Sequence, residues 1–261
     1  MGPLVFLVFA LFLVFLVAKR VYVGMNIPGM VPPLSPVQKE ILGKYFEFYS
    51  ILPPRSKAMF EKKLSHFIHT KTFVPRDMDE VTEEMKVLIG ATAVQLTFGL
   101  PSVTLKFFQY IIIYPHEFFS PENQRYHYGE VNPKYSAIAL SWKNFIKGLI
   151  VKDGRNLGLH EMAHALSLEN RIVNGEHHFF EAEVMSGWLQ EADREIANIQ
   201  NGDSDFFREY AATNREEFFA VAVENYFERT AQFKAYNPTL YGLLCQLLNQ
   251  DPILLANNNQ Q

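Results

Sequence analysis

The pentad His160-Glu161-Met162-Ala163-His164 can work as a unit only on a helix. There the two imidazoles fall one turn apart on the same face, and the carboxylate lies about 100° round from the first of them. That is the geometry of a zinc hydrolase. Two neutral ring nitrogens take two corners of a tetrahedral Zn²⁺, a third protein group takes another, and a water keeps the open position. Glu161 is the candidate base for that water. Leu159, Met162, Ala163 and Leu166 follow i, i+3, i+4, i+7, an apolar stripe for the core beside the metal-facing side. Asn156 is the expected N-cap, after an Asp153-Gly154-Arg155 turn.

Such a pentad requires a third ligand from elsewhere in the chain. The next helical pattern begins around Thr213-Asn214-Arg215-Glu216-Glu217 and runs to Glu224. Thr213-x-x-Glu216 reads as a capping box, which gives Glu216 a structural task; with Asn214 as the cap, Glu217 would be the boxed residue instead. Glu224 lies almost two turns beyond Glu217 on the same face, able to orient a ligand histidine or to meet solvent. The residue pattern leaves these carboxylates in competition.

Other candidates are weaker. His66 and His69 are spaced to share a helix face, but no carboxylate repeats with them, so a surface or packing role is expected. His177-His178 adjoin an Asn174-Gly175 turn and read as loop histidines. Cys245 is the single cysteine, which excludes an intrachain disulfide, and it sits among Leu243, Leu244, Leu247 and Leu248, a core pattern. A formal charge of -4 with no basic run longer than a pair argues against nucleic-acid binding.

Along the chain, Leu4 to Ala18 is uncharged and apolar. It reaches about 22 Å against a hydrocarbon core of about 30 Å, with Met1–Pro3 and Val21–Val23 able to extend it. Lys19-Arg20 follow the run rather than precede it, which favours a single-span anchor over a cleaved signal and places the downstream chain in the cytoplasm. Residues 1–23 are therefore expected to be a hydrophobic anchor, 24–36 a Pro-rich linker, 37–255 the folded domain and 256–261 a disordered tail. Helices are expected over Gln38–Tyr49, Ser56–His69, Val81–Leu96 (capped by Asp79 or Thr82) and Phe179–Ile199. Strands are expected over Phe108–Tyr114, Tyr126–Val131 and Ser136–Trp142. Strands ahead of the metal helix suit the expected chemistry, since an edge strand beside a cleft can pair with an extended peptide.

The order H-E-x-x-H, then Tyr210-x6-Glu217 opening a Phe-rich helix, resembles the MtfA family of zinc peptidases, whose metal site is similar to that of anthrax lethal factor. Similar words stand at Leu52-Pro53 with Phe60-Glu61, at Val81 to Ile89, at Leu140-Ser141-Trp142, at Asn156 to Leu166 and at Glu217 to Glu224, so the likeness spans most of Gly43 to Leu248. The resemblance implies an α+β, mainly helical, zincin-like domain with a small sheet. It implies His160, His164 and Glu217 as zinc ligands, Glu161 as general base and Tyr210 as a phenol facing the reacting carbonyl. The implied activity is zinc-dependent hydrolysis of a peptide or protein substrate. The alternative is a membrane-tethered regulatory protein that uses the fold to bind a partner, such as the transcriptional repressor bound by some members. The apolar N-terminal run is a departure from the family's soluble core.

Overall fold

Helix α1 (Pro36–Tyr45) opens on the last proline of the expected linker, because the Ser35 hydroxyl accepts the Gln38 amide and Pro36 sits in the first turn, where a missing N–H costs nothing. The computed structural model describes residues 31–100, 103–120, 124–172 and 179–257. The run Leu4–Ala18, with its expected membrane anchor, lies outside them, as do His177 and His178. Among the described residues no helix is long and apolar enough to cross a membrane.

The expected helix Gln38–Tyr49 is broken at Phe46, whose extended backbone separates α1 from the short α2 (Glu47–Ser50). Then come α3 (Pro54–Thr70), β1 (Thr72–Pro75) and α4 (Glu83–Leu96); the hydroxyl of Thr82, not Asp79, accepts the Met85 amide at the start of α4. Five strands follow: β2 (Tyr110–Tyr114), β3 (Phe118–Ser120), β4 (Arg125–His127), β5 (Gly129–Asn132) and β6 (Ala137–Ser141). The remainder is helical: α5 (Trp142–Ile150), α6 (Leu157–Ile172), α7 (Ala182–Asn201), α8 (Arg215–Glu228), α9 (Thr230–Tyr236), α10 (Pro238–Leu248) and α11 (Pro252–Asn257). The last of these continues into the stretch expected to be a tail.

The four-stranded sheet has the order β1-β2-β6-β5, with β1, β2 and β6 parallel and β5 antiparallel at one edge. Ile111, Ile113, Ile138 and Leu140 point to the helices and are buried, while Tyr110, Ile112 and Tyr114 lie on the opposite, more open face. The single strand expected over Tyr126–Val131 is instead two strands with different partners. β4 pairs with β3, β5 pairs with β6, and the chain bends between them at Tyr128. Trp142 is not the end of a strand but the first residue of α5, because the Ser141 hydroxyl accepts the Asn144 amide as an N-cap.

Helix α6 packs against α4, α5 and α8, and its apolar stripe of Leu159, Met162, Ala163 and Leu166 is buried as the spacing predicts. In α8 every residue from Phe218 to Tyr226 is buried, the mark of a helix enclosed on all sides. Two clefts lie beside the sheet. One of about 520 Å³ sits on its open face, lined by Tyr110, Ile112, Tyr114, Phe119 and Glu130, and among the described residues it holds no cluster of metal-ligating groups. The other, of about 600 Å³, is walled by Tyr128, Gly129, Lys147, Arg155, His160, Glu161, Arg208 and Tyr210.

Candidate metal centre

Asn156 starts α6 as expected: its side-chain oxygen accepts the Leu159 amide at 3.0 Å and its carbonyl accepts from His160 N at 2.9 Å. The turn before it needs Gly154, which has φ +77° and no room for a side chain, since a Cβ would stand 2.5 Å from Asn225 Oδ1. One turn into the helix His160 and His164 face each other, with Nε2 atoms 3.1 Å apart and rings at 83°.

Glu217 reaches them from α8. The cap of that helix is Asn214, whose side chain accepts the Glu217 amide at 2.8 Å; the capping box read from Thr213 and Glu216 does not form. Thr213 instead donates to the Tyr210 carbonyl, and Glu216 pairs with Arg171 on the surface. The Glu217 side chain does not return to its own helix start. Its Oε2 lies 3.1 Å from His160 Nε2 and 3.4 Å from His164 Nε2. Despite this proximity, that buried oxygen makes no hydrogen bond of proper geometry. Among the described residues, His160, His164 and Glu217 are the one group of three ligating side chains whose donor atoms all lie within 4.8 Å of one another.

These three atoms fit a metal better than they fit each other. Ligand atoms bonded at roughly 2.0–2.1 Å to a tetrahedral zinc stand about 3.3 Å from one another, and the separations here are 3.1, 3.1 and 3.4 Å. A buried carboxylate oxygen without a hydrogen-bond partner is costly unless a cation belongs beside it. The electrostatics agree. Burial works against a charged His160, yet the carboxylate of Glu217 beside Nε2, the hydrogen bond to Glu224 and the charge of Glu161 outweigh it and raise the ring's pKa to about 10. Burial would likewise lift the Glu217 carboxyl, but the two imidazoles hold it well below the usual carboxylate range. A site that draws a proton so strongly is one that calls for positive charge.

Behind the cluster, His160 Nδ1 is 2.6 Å from Glu224 Oε1. A carboxylate can only accept, so Nδ1 carries a hydrogen, which leaves Nε2 as the nitrogen that would give its lone pair to a metal. Glu224 is buried and also accepts from Asn156 N at 2.7 Å and from both terminal nitrogens of Arg208 at 2.9 and 2.7 Å. Facing solvent, the other role open to it from the sequence, is excluded. On the cleft side Glu161 is buried, and burial raises its carboxyl pKa. It lies so close to β5 that a Cβ on Gly129 would stand 2.4 Å from Glu161 Oε1. Tyr210 is half exposed, its ring 6.1 Å from that of His160, and burial together with the Glu217 charge pushes its phenol up to about 12.

Of the five residues singled out from the sequence, His160, Glu161 and Tyr210 line one cleft, and His164 and Glu217 stand against His160 beside it. His66 and His69 are elsewhere: His69 is exposed, its Nδ1 2.8 Å from the Ser65 carbonyl, and His66 is partly buried, within the surface or packing roles expected of them. Sequence reasoning missed Arg208 and Gly129. Nothing local marks either one, since each acts on a residue distant in the chain.

An α+β domain, mainly helical, brings two histidines and a carboxylate together beside a cleft, a group that could hold a metal ion. The chain belongs to the family described as glucose-regulated metallo-peptidase M90, whose model matches residues 30–248. It is 27% identical over 238 residues to an uncharacterized protein of Synechocystis sp., covering 85% of this chain and 86% of that one. It is similarly 26% identical to Mlc titration factor A of Escherichia fergusonii, with 80% and 84% covered, and 27% identical to Mlc titration factor A of Cronobacter sakazakii, with 72% and 77% covered.

Proposed function

We propose that this chain is a zincin-like, zinc-dependent metallopeptidase in which His160, His164 and Glu217 hold the metal and Glu161 is the general base. The observation that carries the reading is the Glu217 oxygen, buried without a hydrogen bond between two imidazole nitrogens at tetrahedral-edge distances. Bound zinc supplies Lewis acidity, lowering the pKa of a coordinated water toward about 7 and polarising the scissile carbonyl.

The rest is the work of side chains. Glu161 takes the proton from the attacking water and passes it to the leaving amine, a role suited to a carboxyl whose burial raises its pKa and so its basicity. Tyr210, still protonated at neutral pH, donates to the developing oxyanion, worth about 3 kcal/mol if it acts like other single donors of that kind. Strand β5 supplies the substrate's ladder. Ser141 N donates to Tyr128 O, so by alternation the polar groups of Gly129 and Val131 point away from β6 toward the free edge, beside Glu161.

Glu161→Gln is the test. Zinc content should stay at the wild-type level while hydrolysis of a chromogenic peptide falls by about 10²–10⁴, the usual worth of a general base. Unchanged turnover would remove the general base from the account.

A second reading is supported by the name Mlc titration factor A carried by two relatives: the domain binds a regulatory protein such as a transcriptional repressor. Capture of such a partner equally by the wild type and by Glu161→Gln, with no wild-type hydrolysis, favours it. In either case the run Leu4–Ala18 followed by Lys19-Arg20 supports a single-span membrane anchor with residues 37–255 as a cytoplasmic domain.

A further inference from the structure

We propose that Arg208 is a positioning residue for the metal centre: through Glu224 it fixes the ring of His160, and it ties the segment carrying Tyr210 to the start of α6. Arg208 lies two residues before Tyr210, on the stretch between α7 and α8. Its Nη1 donates to Glu224 Oε2 at 2.9 Å and its Nη2 to Glu224 Oε1 at 2.7 Å, a two-pronged grip that leaves the carboxylate one orientation. In that orientation Oε1 accepts from His160 Nδ1 at 2.6 Å and Oε2 from Asn156 N at 2.7 Å, so each oxygen divides itself between Arg208 and α6.

A second contact leads to the same helix. Arg208 Nη1 also donates to Gly154 O at 2.8 Å, while Gly154 N donates to Glu228 Oε2 at 3.0 Å. The turn that launches α6 is thus clasped from both sides. The guanidinium carbon lies 5.7 Å from the centre of the Tyr210 ring, within range of a cation–π contact. Glu224 and Glu228 are each almost wholly enclosed, with side chains 1% exposed, so losing the fork would leave a buried charge free to turn. Ligand histidines hold their metal through the partner on the far ring nitrogen, and that partner is itself held here by Arg208.

This inference rests on the metallopeptidase reading for the identity of the ion, and its test separates the two. Zinc affinity is measured by competition with a chromogenic chelator in the full chain, for the wild type, Arg208→Met, Arg208→Lys and Glu224→Gln. The visible spectrum of each cobalt(II)-loaded protein and the urea unfolding of each metal-free protein are recorded alongside. Arg208→Met should bind zinc about 10–100-fold more weakly and show an altered cobalt band. Arg208→Lys, which keeps the charge but cannot grip both oxygens, should fall between it and the wild type. The double variant with Glu224→Gln should lose less than the sum of the two singles, because both act through one carboxylate.

Should Arg208→Met fail to fold, Arg208→Lys decides. Wild-type zinc affinity and cobalt spectrum in the folded Arg208 variants, whatever their stability, would reduce the residue to a structural tie and overturn the inference alone. A wild type that holds no zinc overturns this inference and the proposed function together. A wild type that holds zinc and weakens as described, yet cleaves no peptide, sinks only the enzymatic reading.

Discussion

Glu217 and Glu224 are carboxylates two turns apart on one side of α8, and the structure treats them in opposite ways. Glu224 is saturated, accepting from an imidazole, a backbone amide and a forked guanidinium. Glu217 keeps an oxygen with no hydrogen bond at all, although two ring nitrogens stand within 3.4 Å. Proteins rarely leave a buried acceptor idle, so in the proposed reading the idle one is a metal ligand, while the saturated one holds the scaffold. Identity and spacing alone do not separate these roles; the partners do.

The largest effect expected of this contrast is on metal retention. Glu217→Ala should weaken zinc binding by more than the roughly 10–100-fold that loss of an outer partner causes, as read by chelator competition. Glu216→Ala, which removes only an exposed pair with Arg171, should leave it unchanged. Equal losses in the two variants would break the ligand assignment. On stability the order reverses. Glu224→Ala leaves a buried imidazole and a partly buried arginine without their anion and should cost about 3 kcal/mol in urea unfolding of the metal-free protein, more than Glu217→Ala. A smaller cost for Glu224→Ala than for Glu217→Ala would mean that the scaffold lies elsewhere.

Gly129→Ala sharpens the picture on the cleft side. Its methyl group would stand 2.4 Å from Glu161 Oε1 and must displace that carboxylate, so peptide hydrolysis should fall about 100-fold while zinc content holds. The smallest effect concerns a charge remote from the centre. Lys63 donates to the carbonyls of Thr97 and Leu100, and burial lowers its pKa from 10.5 to about 8. The folded chain therefore gives up this proton before the unfolded chain does, and between those two values the lysine makes stability rise with pH. Lys63→Met should flatten the rise in urea midpoint across that window, and an unchanged slope would remove the assignment.

What the sequence disclosed follows from the range of the forces involved. Asn156, the stripe from Leu159 to Leu166 and the facing of His160 and His164 are all set within a few turns of one helix, and they stand where periodicity and capping place them. Glu217 was legible through family likeness rather than pattern, because Thr213 and Asn214 are both chemically competent caps and only the fold selects Asn214. Glu224 carried a signal that went unused. It follows Phe218 to Val223, an unbroken run that can only be enclosed, and a carboxylate enclosed with it must have a charged partner. Arg208 meets Gly154 across 54 residues and Gly129 meets Glu161 across a sheet edge, contacts made by tertiary packing and invisible to any local window. The break at Tyr128 was missed for a related reason: Tyr126, Tyr128 and Val131 give the stretch a strand composition, and only its two different partners divide it.

The brevity of β5 has a consequence for how copies of this molecule behave in a crowded solution. An unpaired strand margin invites neighbouring chains to stack, and long ones seed aggregates. Here the margin runs only from Gly129 to Asn132, closed off by the kink at Tyr128 on one side and the tight Pro133–Tyr135 turn on the other. In the proposed reading it suits a guest of a few residues, and its length would deny a second molecule the room to zip along it.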